Sequence, residues 1–71
     1  MTWLSILHTI DKSQYADLLE YCQRAASQDK TFIFEVQADR IIIQSPDRDQ
    51  AYRRGQLLHF KFNVFYEVVK K

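Results

Sequence analysis

Seventy-one residues carry 46% hydrophobic side chains, five Phe, four Tyr and one Trp, with a single Gly and a single Pro. That composition is too apolar for disorder and too poor in Gly and Pro for repeats or long loops, so one compact unit with short connections is expected over residues 1–71. The formal charge of +1 hides a split: residues 1–39 hold three Lys/Arg against six Asp/Glu, and residues 40–71 hold seven against three.

Taken in chain order, Thr2–Thr9 is an apolar, β-compatible run too short for a helix. Asp11 then stands as an N-cap with Gln14 three residues on, the spacing of a capping box, and Ile10 and Tyr15 sit where a hydrophobic staple falls. Tyr15, Leu18, Leu19, Cys22, Ala25 and Ala26 follow at helical spacing, with Asp17, Glu20, Gln23 and Arg24 on the other face. Ser27–Lys30 reads as a loop. Thr31–Gln37 alternates strictly, placing Phe32, Phe34 and Val36 opposite Thr31, Ile33, Glu35 and Gln37. Ala38-Asp39 is a tight-turn candidate, and Arg40–Gln44 with three consecutive isoleucines suggests a strand inside the sheet.

Ser45-Pro46-Asp47 supplies a second helix start: Ser as N-cap, Pro at the first helical position, Asp in the first turn. This helix is expected to run to about His59, with Ala51, Tyr52, Gly55 and Leu58 inward and Arg48, Arg53, Arg54 and Gln56 outward. Gly55 would serve close helix–sheet approach. Phe60–Val69 alternates again and reads as the last strand, Phe60, Phe62, Val64, Tyr66 and Val68 against Lys61, Asn63, Phe65, Glu67 and Val69. The order β-α-β-β-α-β predicts an α+β, ferredoxin-like domain: a four-stranded antiparallel sheet, both helices on one face, and the first and third strands central.

Cys22 is the lone cysteine, which rules out an intramolecular disulfide or a cysteine-based zinc site. No stretch approaches the ~20 apolar residues of a membrane helix. The opening residues lack the basic start of a signal peptide, so a cytoplasmic setting is expected. Cys22 lies on the apolar stripe of the first helix, where a small packed hydrophobe is the plain reading. His8 and His59 have no ligand-like spacing, and no phosphate loop or nucleophile motif occurs. Neither an enzyme nor a cofactor is expected.

A sheet with helices on one face leaves the other free. Ile33, Ile42 and Phe65 are expected there beside Thr31, Glu35, Arg40, Gln44, Lys61, Asn63 and Glu67, with Trp3 and Leu7 joining from the first strand. An apolar centre with a charged rim has the composition of a protein interface, although scattered exposed apolar residues are ordinary. The expected function is binding and modulating a protein partner, in the manner of accessory subunits, toxin–antitoxin partners or phage-encoded inhibitors. Trp3, Ile33, Ile42 and Phe65 would be buried on binding, with Arg40, Arg53, Arg54 and Lys61 orienting the encounter. Homodimerisation through the open face or a sheet edge is a variant of the same reading. The alternative is nucleic acid, with bases stacked on Trp3 and Phe65 and phosphates met by Arg48, Arg53 and Arg54. Against it, Arg40-Ile-Ile-Ile-Gln-Ser stands where an RNA-recognition sheet carries its aromatic, Gly-containing motif. Arg53 and Arg54 have a plainer use as well, pairing with Asp17 or Glu20 of the first helix.

Overall fold

The computed structural model describes residues 2–8, 11–37 and 39–71. The elements are β1 (Trp3–His8), α1 (Lys12–Gln28), β2 (Ile33–Gln37), β3 (Arg40–Ser45), α2 (Arg48–Phe62) and β4 (Phe65–Lys70). The strands form one antiparallel sheet in the order β2-β3-β1-β4. The described residues thus form an α+β fold of four strands and two helices, with the element order expected. The Ile10 staple and the Ala38 turn position lie outside the described residues.

The sheet has two unlike faces because side chains alternate along each strand. Ser5, Leu7, Ile41, Ile43 and Ser45 are buried, and Leu7, Ile41 and Ile43 share one core cluster with Leu18 and Cys22 of α1 and Leu58 and Phe62 of α2. Phe32 and Val64, flanking the strands, close that cluster. Fully burying an aliphatic side chain of this size contributes roughly 1.5–3 kcal/mol, so these contacts carry most of the stability of so short a chain.

α1 begins where expected. The Asp11 carboxylate accepts from the Ser13 N–H at 3.0 Å. The Gln14 backbone N–H donates to the Asp11 carbonyl at 2.9 Å, where a capping box would have used its side chain. Leu18 and Cys22 are fully buried, and Tyr15, Ala25 and Ala26 pack against the core as the apolar stripe predicts.

α2 departs from expectation at both ends. Its N-cap is Asp47, whose carboxylate accepts from the Gln50 N–H at 2.8 Å, and Ser45 is instead the last residue of β3. Ser45 is 2% exposed, and a buried strand residue cannot also stand at a solvated helix start. At the far end the helix continues through Phe62, because Leu58 and Phe62, one turn apart, both enter the core. Asn63 stops it in the left-handed region at φ 55°, where Asn is better tolerated than most residues, and its N–H caps the His59 carbonyl at 2.8 Å. Phe60 and Lys61 are therefore helical, not strand residues.

Gly55 is buried as expected against the last strand. A Cβ there would collide with the Tyr66 ring, standing 2.8 Å from Cε2. Ser5 assists the same close approach by donating from Oγ to the Ala51 carbonyl at 2.6 Å. Tyr52 is half-exposed, with Arg48 over its ring at 5.4 Å, so the expected inward placement is corrected.

Candidate partner-binding face

Register places twelve side chains on the sheet face opposite the core, in three rows running β2, β3, β1, β4. The first row is Ile33, Gln44, Leu4 and Val69; the second is Glu35, Ile42, Ile6 and Glu67; the third is Gln37, Arg40, His8 and Phe65. Its middle is apolar: Leu4, Ile6 and Ile42 lie side by side on the two central strands, Ile6 already buried at 9% exposure and Leu4 and Ile42 half-buried. Ile33 at 53% and Phe65 at 68% exposure stand at opposite corners. Carboxylates occupy both ends of the middle row. One side of the third row is polar, with Arg40 Nε donating to Gln37 Oε1. His8 Nε2 lies 3.0 Å from Glu67 Oε1, a pair in which both side chains remain accessible.

Of the residues expected on the open face, Ile33, Glu35, Arg40, Ile42, Gln44, Phe65 and Glu67 are brought together there. Thr31 is not, since it precedes β2 and its hydroxyl bonds Asp29 and Arg54, and neither Arg53 nor Arg54 of α2 joins the face. Trp3, Leu7, Lys61 and Asn63 are absent from it as well. Trp3 shares the parity of Ser5 and Leu7 and so lies on the helix side, with the Arg48 guanidinium 5.9 Å from its ring centroid. Leu7 is a fully buried core residue. Lys61 is on α2 with its Nζ 5.7 Å from the Tyr21 ring. Asn63 is the cap of α2, outside the sheet.

Arg54 is the largest correction. It is expected outward, orienting a partner or else pairing with Asp17 or Glu20 or staying solvated, yet it is only 8% exposed. Nη1 donates to Ser45 Oγ at 2.9 Å and to the Gln44 carbonyl at 3.0 Å. Nη2 donates to Asp29 Oδ2 at 3.0 Å and Thr31 Oγ1 at 2.9 Å, and the guanidinium lies 4.9 Å from the Phe32 centroid. These bonds tie α2 to the end of β3 and to the segment between α1 and β2. Hydrogen bonds from the Thr31 hydroxyl and N–H, and then the Arg54 charge, hold the Asp29 carboxyl below its ordinary value. Arg53 is exposed at the start of α2, beside Asp49 and Gln50.

The residues that sequence reasoning missed are Leu4, Ile6, His8 and Val69. In Trp3–His8 both parities carry apolar residues, so alternation alone does not say which set faces the helices. The usable signal was Ser5: a small hydroxyl suits the point where Ala51 and Gly55 press against the sheet. A second exposed apolar group, Leu57 at 51% and Phe60 at 76%, lies on the outer side of α2 and follows from the longer helix.

Cys22 is fully buried, and that burial pushes its thiol up to about 11. His59 Nδ1 lies 2.7 Å from the Val64 carbonyl and its ring packs near Tyr66, a structural placement. No helix among the described residues is long and apolar enough to cross a membrane. No protein-family model matches this sequence, and no curated protein or solved structure matches it.

Proposed function

We propose that the chain is a non-catalytic, cytoplasmic protein-binding module of ferredoxin-like architecture that modulates a partner protein through the face built by Leu4, Ile6, Ile33, Ile42, Phe65 and Val69. The architectural part rests on the sheet order β2-β3-β1-β4, with β1 and β3 inside and the core on one side. The observation that carries the functional part is the composition of the opposite face. Its apolar middle spans both central strands and reaches the exposed Ile33 and Phe65, and its charged groups stand at the margins. Interface cores are depleted of charge and ringed by polar groups in this way.

The nucleic-acid reading loses support from three placements. Trp3 is on the helix side, Arg54 is consumed by internal hydrogen bonds, and the central strands present Leu4, Ile6, His8, Arg40, Ile42 and Gln44 where bases would need aromatic rings. A non-catalytic role is supported by the thiol of Cys22, which is shut in the core and held protonated.

The test is a pull-down from lysate with tagged wild type and tagged Ile42→Lys, each with and without nuclease. A protein captured by wild type after nuclease and lost with a folded Ile42→Lys supports the proposal. Capture that disappears with nuclease, or that Ile42→Lys leaves intact, overturns it.

A further inference from the structure

The charges on the open face are arranged about its apolar middle in a way that selects a partner shape. Glu35 on β2 and Glu67 on β4 end the same row, with Ile42 and Ile6 between them. Three inter-strand gaps separate the two carboxylate positions, about 14 Å at the usual strand spacing. An α-helix with its side chains is about 10–12 Å across, so one helix lying along β1 and β3 fills the space between the two acids. At one end of that lane stand Arg40 and His8; at the other stand Leu4 and Gln44.

Resting on the protein-binding reading of this face, we infer that its occupant is an amphipathic helix of another protein, with an apolar stripe flanked on both sides by Lys or Arg. The stripe packs on the half-buried Leu4 and Ile42, across the already buried Ile6, and the flanking cations meet Glu35 and Glu67. The Arg40 guanidinium sets the direction: a helix C-terminus carries partial negative charge, so that end lies over Arg40 and His8. A second copy of this chain fits less well. In the aligned class of face-to-face packing, the strands of the two sheets lie within about 30° of one another. A two-fold axis along the strands then sets Glu35 against Glu67 of the other copy. An axis across the strands sets each carboxylate against its own equivalent.

Two synthetic 14-residue peptides with the same leucine stripe, one flanked by Lys and one by Glu, are titrated calorimetrically into the full chain at low salt. The Lys-flanked peptide binds, the Glu-flanked one at least tenfold more weakly, and Glu35→Gln and Glu67→Gln each weaken the first by about threefold. Both glutamates are exposed, and Gln at position 67 keeps an acceptor for His8, so both variants fold. A nitroxide at the C-terminus of the peptide broadens the His8 amide more than the Leu4 amide. Equal binding of both peptides, binding of neither, indifference to both substitutions, or broadening at Leu4 overturns the inference. So does a dimer mass for the free protein that Ile42→Lys converts to a monomer, because the face is then occupied by a second copy. The broader protein-binding reading fails separately, on capture that survives Ile42→Lys.

Discussion

Arg54→Ala perturbs the residue whose placement departs furthest from what its position suggests. The guanidinium bonds Ser45 Oγ and the Gln44 carbonyl, and it covers the Phe32 ring. Truncation leaves two inward-facing acceptors without their donor, at about 1–3 kcal/mol each, and opens a void beside Phe32. Asp29 is half-exposed and returns to water, so nothing is added for it. The sum of the orphaned acceptors and the void is about 3–5 kcal/mol. A chain of this length has about 4–10 kcal/mol of total stability, so the variant should be close to unfolded. Urea melts followed by circular dichroism report it: with a slope of about 1 kcal/mol/M, the midpoint falls by about 3 M or the pre-transition baseline disappears. Arg54→Lys restores the charge without the fork and should recover only part of the loss. Arg53→Ala, at an exposed position on the same helix, should stay within about 0.5 kcal/mol of wild type. An Arg54→Ala midpoint within about 1 M of wild type would refute the reasoning.

Other outcomes follow from the same geometry. Gly55→Ala gains about 1 kcal/mol of helix propensity but forces a Cβ into the Tyr66 ring, so it should destabilise by about 0–2 kcal/mol net. Tyr66→Ala in the same chain should make Gly55→Ala stabilising, and a thermal melt of the double variant decides. Asp11 and Asp29 both titrate below their ordinary 3.8, the first chiefly through the Ser13 N–H and the second chiefly through the Thr31 hydroxyl. Because the folded values are depressed, their contribution is present above about pH 4 and is lost as pH falls through the folded values. Asp29→Asn should therefore flatten the acid limb of stability, and an unchanged limb contradicts the account. Cys22 should resist iodoacetamide at pH 8, where about a thousandth of a thiol with a value near 11 is ionised, until urea exposes it; rapid native alkylation contradicts its burial. Phe65→Ala, at an exposed site, should leave the melt within about 0.5 kcal/mol and weaken partner binding more than fivefold.

Much of the fold was legible because the local signals agreed with one another. Asp11 as a cap, the Leu18–Cys22 stripe, and the alternation through Phe32, Phe34 and Val36 all pointed to the elements that form. Where signals competed, local reading lost to packing. Ser45-Pro46-Asp47 satisfies helix-start rules at two offsets, and the burial of Ser45 under Arg54 decides for Asp47. Phe60, Phe62 and Val64 have a strand period, but Leu58 and Phe62 have a helical one, and the core takes the second. Arg54 looked like surface because Arg usually is; its place among Ala51, Gly55 and Leu58, all on the buried side, was the signal available. On the candidate face, Ile33, Ile42 and Phe65 follow from the strand pattern, whereas Leu4 and Ile6 could not be separated from Trp3 and Leu7 without knowing which side Ser5 takes.

The most direct test of the binding face uses isoleucine methyl labelling, since the chain places isoleucines on both sides of its sheet. Ile6, Ile33 and Ile42 belong to the open face, while Ile41 and Ile43 are fully buried in the core. On adding the captured partner protein, the account predicts methyl shifts or broadening at Ile6, Ile33 and Ile42, with Ile41 and Ile43 close to their free positions. Undisturbed open-face methyls in the presence of saturating partner would contradict it and move attention to Leu57 and Phe60 on the outer side of α2.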